Sequence, residues 1–264
     1  MLGLIRLFAA VLVLLVCGAA LDFARAENAQ IAKLRAAEQK IFTDAQIADG
    51  FFKIAFGAEL AVAGRVDRIR KYDGPVRVFV ESRAKPDRRR QVAAAVADIA
   101  TRVDHLDIAM TDDRAAANVT VTLVRNRNLA ATIRAFYGRD RARRIERSLE
   151  PQCLSGFSKD EQYRILHSDV ILVADSGEFI FYDCVYEELL QALGPINDDP
   201  SVPWSMFNDD VQKGFFDVYD QYLLNILYDP RIRPGMTRDE VRALLPQVLP
   251  SVRAFVARAN GLNR

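Results

Sequence analysis

The sequence predicts one mixed α/β (α+β) domain, a small mixed sheet packed by helices. Strand-like and helix-like spacings of apolar residues succeed one another along the chain, which is typical of this class. No internal repeat or low-complexity stretch interrupts this order, and 50% of the 264 residues are hydrophobic. A chain of this length and composition can bury one large core, or at most two small ones.

The N-terminus predicts export. Arg6 precedes an apolar run over residues 7–16, and small residues follow up to Ala26. This pattern is typical of a secretory signal peptide, here residues 1–26, cleaved after Ala26. Two alternatives remain open: a retained membrane anchor, for which the run is much shorter than the roughly 20 residues that span a bilayer, and a lipoprotein attached through Cys17. We expect the mature protein in the periplasm or outside the cell, and not as an integral membrane protein.

Charge argues against nucleic acid as a partner. Removing the signal peptide takes away two of the 36 basic residues and one of the 35 acidic residues, so the mature chain, residues 27–264, carries no net charge. Proteins that bind nucleic acid through its phosphates need a basic excess. The densest basic stretch, residues 139–147, is interrupted by Asp140 and Glu146. We interpret it as a solvated helix face.

The elements of the first half follow from turn residues and apolar spacing. Thr43 and Gln46 are placed to form a capping box at a helix start, and a Gly-Pro turn at residues 74–75 precedes a strand. The predicted elements are a helix from Thr43 to Gly57, a strand over 76–80, a helix from Asp87, a strand over 119–124 and a short helix from Asn128 to Gly138. Strand followed by helix is the order of an α/β domain.

Two β-rich runs follow, residues 170–173 and 179–182, and the Asp-Ser-Gly at residues 175–177 predicts a hairpin turn between them. Asp-Ser-Gly also resembles an aspartic protease motif, but that chemistry needs two aspartates that share a proton, and the tripeptide occurs once. A further helix is predicted near 219–227. The C-terminal helices, residues 237–260, begin with a capping box and are expected to pack on the domain.

The most informative stretch is residues 186–197, which predict a helix ending near Gly194. Metzincin zinc proteases place histidine ligands at the first, fifth and eleventh positions of such a helix, with glutamate at the second and glycine at the eighth. Here the glutamate is Glu188 and the glycine is Gly194, in the frame E-E-x-x-Q-x-x-G-x-x-N. The three ligand positions hold Glu187, Gln191 and Asn197. Met206 stands where those enzymes place a methionine turn, although the helix alone also fits an ordinary amphipathic helix.

Several further runs are specific when they are taken together with this helix. They are residues 51–53, 56–59, 74–78, Cys153, Cys184, 187–191, 205–209 and 227–231. With these residues the chain resembles the proteobacterial domain-of-unknown-function family 2927 over nearly all of its mature length. The resemblance implies an exported protein with a single zincin-like domain and a degenerate zinc motif. It implies no known substrate and no established catalytic residue.

The substituted positions argue against a zinc centre. Catalytic zinc takes three ligands from histidine, cysteine and carboxylate side chains, whereas Gln191 and Asn197 offer neutral amide oxygens. The two histidines of the chain, His105 and His167, lie outside the motif helix. An all-oxygen set is available instead: Glu187, Gln191, Asn197, and Asp198 or Asp199. Such a set suits a hard cation such as calcium, although Asp and Asn clusters in loops are more often turn formers. We therefore predict no zinc and no required cofactor, with calcium as the open alternative.

Glu188 is the candidate catalytic residue. In an active relative it would act as general base toward a metal-bound water. Without a metal it has no activated nucleophile to serve. The alternative role for Glu188 is structural: a buried carboxylate held by backbone hydrogen bonds or by an arginine such as Arg231 or Arg233.

Two cysteines, Cys153 and Cys184, remain after signal cleavage, and an oxidising compartment favours a disulfide between them. Closing this loop would stabilise the fold by about 3 to 4 kcal/mol. Two buried thiols are the alternative.

Three functions are compatible with these features. The first, which we favour, is a catalytically inactive, peptidase-shaped binding or scaffolding protein of the cell envelope. Its partner would be a polypeptide held along an edge strand, or another envelope protein. The second is an atypical hydrolase that uses Glu187 and Glu188 with or without a hard cation. The third is a structural envelope protein with a vestigial cleft.

Overall fold

The strands form one mixed sheet. The computed structural model describes residues 27–57, 67–82, 84–149 and 152–262, so the predicted signal peptide lies outside the described residues. Within these ranges the sheet has five strands in the order β2-β1-β3-β5-β4. They are β1 (Val76–Ser82), β2 (Ile108–Met110), β3 (Val119–Val124), β4 (Cys153–Lys159) and β5 (Ile165–Val173). Four strands run parallel, and β4 pairs antiparallel with β5 at one edge. The predicted class, a mixed sheet packed by helices, is confirmed.

Seven α-helices surround this sheet in the described ranges. They are α1 (Ala29–Ala36), α2 (Asp44–Ile54), α3 (Arg89–Arg102), α4 (Leu129–Leu149), α5 (Glu178–Ala192), α6 (Val218–Tyr228) and α7 (Arg238–Ala259). α3 packs against β1 and β2, α5 packs against β4 and β5, and α6 contacts α2 and α7. No helix in the part of the chain described is both long and apolar enough to span a bilayer.

The two faces of the sheet are buried by different helices. Val170 and Leu172 of β5 belong to the larger core, which also contains the apolar residues of α3 and α5. Ile171 and Val173 belong to a second core with the apolar residues of α4, which are Leu129, Ile133, Ala142 and Ile145. Because successive side chains of a strand point to opposite faces, α4 and α5 lie on opposite sides of the sheet.

The predicted strand over 179–182, and the hairpin that would join it to 170–173, are wrong. Residues 179–182 form the first turn of α5. Their aromatic and β-branched side chains favour a strand locally, but the outer edge of β5 is already paired with β4. Phe181 is instead fully buried against the core from a helix. The hairpin in this region is β4-β5, in which residues 160–164 form the turn.

The helix predicted to end at Gly138 does break there, and a second helical segment follows it to Leu149; the two segments together are α4. Gly138 adopts φ +75° and ψ 165°, a non-helical conformation that glycine accepts at little cost, so the chain kinks between the two segments. Beyond the bend, Ala142 and Ile145 return to the same core as Leu129. The burial of Ala142 and Ile145 explains why a second helical segment follows the break.

Both predicted capping boxes are confirmed. Thr43 and Gln46 cap α2, and Thr237 and Glu240 cap α7. α2 ends at Ile54, one turn before the predicted end. The predicted C-terminal helices are one helix, α7, which contains two prolines and packs against α6, α2 and α3.

The predicted disulfide between Cys153 and Cys184 is present, with the two Cα atoms 5.8 Å apart. It ties the first residue of β4 to the middle of α5. The edge strand and the motif helix are thus covalently joined.

Replacing Cys153 and Cys184 together by alanine should lower the free energy of unfolding by about 3 to 4 kcal/mol, because the unfolded chain regains the entropy of an open loop. Equilibrium urea unfolding of the mature protein measures this difference. Reduced and alkylated wild type is the matched control and should resemble the double variant. Two reactive thiols in the folded wild-type protein, or equal stability of the double variant, would contradict the disulfide's role.

Candidate functional site

A cleft of about 220 Å³ opens between the start of β4, one face of α5 and the loop over residues 198–212. The start of β4 contributes Cys153 and Leu154, together with Gln152 just before the strand, and the loop contributes Asp198, Met206, Asn208, Asp209, Val211 and Gln212. α5 contributes Ile180, Asp183, Cys184, Glu187, Glu188 and Gln191. Carboxylates and amides dominate this lining, which contains no histidine.

The spacing of the α5 residues explains the cleft wall. They recur three or four positions apart, from residue 180 to residue 191, so they form one stripe along the helix. The opposite side of α5 carries Val185, Leu189 and Leu190, which are buried in the larger core. α5 is therefore anchored by its apolar side, and it presents acidic and amide groups to the cleft.

Three carboxylates meet in the cleft. Glu187, Asp198 and Asp209 each have an oxygen within 4.8 Å of the others. Burial is the main reason why the pKa of Glu187 lies well above its usual range, and the negative charges of Glu188, Asp198, Asp183 and Asp209 raise this pKa further. Such a cluster attracts a positively charged group, whether a metal ion or a basic side chain.

Gln191 connects the three walls of the cleft. Its Oε1 accepts a hydrogen bond from the Oγ of Ser155 in β4 at 3.1 Å. Its Nε2 donates to both carboxylate oxygens of Asp198 at 3.2 Å. With only 4% of its surface exposed, Gln191 positions Asp198 and is committed to these bonds.

Glu188 lines the cleft and is only 5% exposed. Of the two arginines considered as its partner, Arg231 is engaged elsewhere: its Nε and Nη2 donate to the two oxygens of Asp229 at 2.7 and 2.6 Å. Glu188 thus places a buried carboxyl group in the cleft lining.

Asn197 does not line the cleft. Its Nδ2 donates to the backbone oxygen of Lys53 at 2.8 Å, and its side chain covers Gly57. Glycine is required at Gly194 because a Cβ there would lie 2.2 Å from the backbone oxygen of Arg70. The chain turns tightly after α5, and Asp198, the residue after Asn197, reaches the cleft.

Asp209 is the member of the three-carboxylate cluster that the sequence analysis did not assign. The only signal was its place at the end of the matched run 205–209. Asp199, considered together with Asp198, instead accepts from Ser201 in a local turn at 2.6 and 2.9 Å. The sequence alone does not distinguish these aspartates, because the loop brings Asp209 back to α5 only in the folded chain.

Met206 lies in the cleft lining, where a buried aspartate holds its segment. The backbone N–H of Met206 and the Oγ of Ser205 donate to the two carboxylate oxygens of Asp220 on α6, at 2.8 and 2.6 Å. Burial, and then the charge of Asp217, hold the pKa of Asp220 well above its usual range. A fully buried carboxylate is retained here because it accepts both donors from the turn.

A lysine fixes the far end of the same loop. Although burial lowers the pKa of Lys213, the charges of Asp217 and Asp220 raise it overall. Its Nζ pairs with Asp217 at 2.6 Å and also donates to the backbone oxygen of Trp204. Backbone N–H groups of Lys213 and Gly214 donate to Asp183 on α5 at 2.7 and 3.0 Å. The loop that carries Asp198 and Asp209 is thus held at both ends.

The raised pKa of Glu187 predicts how the free energy of unfolding depends on pH. Folding favours its protonated form, so its contribution to stability is present at low pH and is lost as pH rises through the folded-state pKa. Glu187→Gln removes the buried charge. The variant should be more stable than wild type at about pH 8, and the difference should vanish toward about pH 4, where the carboxyl group is protonated in both states.

Urea unfolding at several pH values measures this difference. Glu161→Gln, a change at an exposed glutamate of the β4-β5 turn, is the matched control and should alter stability by less than about 0.5 kcal/mol at every pH. A Glu187→Gln variant that is less stable than wild type at high pH would show that the carboxylate is favourably paired.

Comparison with known proteins gives one match. The model of a family described as "Protein of unknown function (DUF2927)" matches residues 44–247, a span that contains every residue of the cleft lining. No curated protein and no solved structure matches the chain significantly.

Proposed function

Because the chain belongs to the DUF2927 family, which is defined without a function, we propose a role from its own cleft: an exported, catalytically inactive binding protein that holds an extended polypeptide beside β4. The observation that carries this proposal is the position of the cleft at the start of an edge strand. Export is supported by the N-terminal signal pattern and by the disulfide, which is typical of oxidising compartments.

The edge strand offers a surface for strand addition. β4 pairs with β5 on one side, and no other strand of the described chain pairs with its outer side. An unpaired strand edge presents backbone N–H and C=O groups that can bind an extended peptide. The disulfide between Cys153 and Cys184 keeps this strand next to α5.

The negative charge of the cleft favours a peptide that carries a basic residue. Glu187, Asp198 and Asp209 form a cluster with Asp183 and Glu188 beside it. A lysine or arginine side chain of the bound segment would relieve the mutual repulsion of these carboxylates. The proposed ligand is therefore an extended segment with a basic residue at the position facing Glu187.

Residue chemistry argues against zinc-dependent cleavage. The former ligand positions hold Glu187, Gln191 and Asn197, of which Gln191 is bonded to Ser155 and Asp198, and Asn197 lies outside the cleft. Without a zinc ion, Glu188 would lack a metal-bound water to activate. The peptidase-like frame would then serve for recognition alone.

Peptide binding tests the proposal. A panel of extended peptides, measured by fluorescence anisotropy with the mature protein, should bind best when the central residue is lysine or arginine. Methylation of those backbone nitrogens that face β4 should abolish binding, whereas methylation of the alternate nitrogens should not. Asp209→Asn should weaken binding about two- to fivefold, as expected for a partly exposed charge pair.

The matched control is Asp112→Asn, a change at an exposed aspartate outside the cleft, which should leave the affinity unchanged. Equal binding of acidic and basic peptides, or equal sensitivity to both methylation patterns, would disprove strand addition in the acidic cleft.

An atypical hydrolase that uses Glu187 and Glu188, with or without a hard cation, is the second candidate. One observation favours it: carboxylate oxygens of Glu187, Asp198 and Asp209 lie within 4.8 Å of one another. All-oxygen sets of this kind suit calcium better than zinc. Glu188, which lines the same cleft, would then be the candidate general base.

Metal and activity measurements separate the two candidates. After dialysis we expect no stoichiometric zinc and no cleavage of a peptide library, with or without added calcium. Glu188→Gln should then affect stability alone, by about 1 to 3 kcal/mol if the carboxylate accepts buried hydrogen bonds. One zinc per chain, or turnover that disappears in Glu188→Gln, would overturn the inactive assignment, and turnover that requires calcium would establish the second candidate.

A further inference from the structure

A second cavity adjoins the acidic cleft. It has a volume of about 270 Å³ and lies between α1, the linker over residues 37–43 and the segment over residues 203–215. Val211 and Gln212 line both this cavity and the cleft. They therefore form part of the wall between the two, and the second cavity, called here the apolar cavity, is the immediate neighbour of the cleft.

Apolar and aromatic side chains form most of the wall of the apolar cavity. They include Leu34, Phe42, Pro203, Trp204, Val211 and Phe215. Phe42 and Phe215 are buried beneath it, whereas Trp204 and Val211 are half-buried and keep part of their surface open to solvent. The ring centroid of Trp204 lies 5.7 Å from the centroids of Phe42 and Tyr219. These contacts hold the indole ring in place at the cavity.

The two charged residues of this wall have partners within the protein. The Nζ of Lys213 pairs with Asp217 at 2.6 Å, and Glu38 accepts a hydrogen bond from the backbone N–H of Val218. An apolar group that enters the cavity would therefore lose its contact with water without separating a charge from its partner. In this respect the apolar cavity differs from the cleft, where like charges meet.

The size of the apolar cavity favours a single side chain as its occupant. Its volume is below the about 300 to 1,000 Å³ of pockets that enclose a small-molecule ligand. A second copy of the chain would need an interface of at least about 1,000 Å². Of the three large apolar side chains that are exposed in the described ranges, only Ile41 belongs to the linker, and the other two, Phe136 and Leu166, lie on α4 and β5.

The position of the cavity beside the cleft indicates which side chain this is. Building on the polypeptide binding already proposed, we propose that an aromatic or large aliphatic residue of the bound segment enters the apolar cavity while its basic residue faces Glu187. The ligand class is thus an extended polypeptide with one basic residue and one apolar anchor a short distance along the chain. Buried apolar anchors of this kind commonly supply most of the affinity at an interface.

Trp204 gives a direct signal, because it is the single tryptophan of the chain. Lysine-centred peptides with phenylalanine placed in turn at each flanking position are compared with matching alanine peptides, by anisotropy and by Trp204 emission. At one or two positions on one side of the lysine, phenylalanine should tighten binding about ten- to hundredfold, as expected for burying its side chain. The same peptides should shift the Trp204 emission to shorter wavelength, because the bound ring excludes water from the indole.

Ala37→Asp and Ala36→Asp form a matched pair of variants. Both alanines are exposed at the end of α1, but Ala37 lines the apolar cavity and Ala36 does not. Ala37→Asp should remove the gain from phenylalanine and leave the affinity of the alanine peptide unchanged. Ala36→Asp adds the same charge one residue away and should behave like wild type. Circular dichroism confirms that both variants are folded.

The outcomes separate this inference from the proposed function. Lysine peptides that bind, while phenylalanine adds nothing at any position or leaves the Trp204 emission unchanged, would overturn the inference and leave the proposed function standing. An equal gain at every position, or an equal loss in both variants, would also overturn it. A wild-type dimer that Ala37→Asp dissociates would assign the cavity to a second copy instead. No preference for basic peptides would overturn the proposed function and this inference with it.

Discussion

The cleft depends on the way α5 is held between β4 and the loop over residues 198–212. The disulfide from Cys184 reaches β4, Gln191 bonds to both β4 and Asp198, and Asp183 accepts two backbone N–H groups from the loop. These contacts join elements that are distant in sequence. The same contacts give the polar side chains of α5 hydrogen-bond partners within the protein. α5 can therefore be buried on nearly all sides.

This arrangement brings like charges together at a cost. Glu187 lies among four other carboxylates, and burial raises its pKa well above the usual range. A site selected for stability alone would hold amides or apolar groups there, because unpaired buried charge destabilises a fold. Clusters with strongly shifted pKa values are typical of binding and catalytic sites. The nearby Lys213 pairs with Asp217, and its charge lowers the pKa of Asp183, although burial raises that pKa overall.

Local signals in the sequence predicted the parts of the fold that local chemistry controls. The capping boxes of α2 and α7 and the alternating strand β3 occur as expected, because a cap or an alternating strand is defined by a few neighbouring residues. Cys153 and Cys184 could be paired because few other thiols were available. The strand predicted for residues 179–182 was wrong, since the pairing of β4 with β5 overrides their local strand preference.

The sequence by itself determined the class of the domain, the motif helix with Glu187, Glu188 and Gln191, and the absence of histidine from the three ligand positions of that frame, because these follow from composition, helical spacing and residue type. Only the tertiary structure decided that Asn197 faces Lys53 while Asp198 and Asp209 meet Glu187. The reason is physical: a loop's direction after a helix is set by packing and long-range hydrogen bonds, here those of Gly194 against Arg70 and of the 205–206 turn with Asp220. No local pattern encodes these contacts.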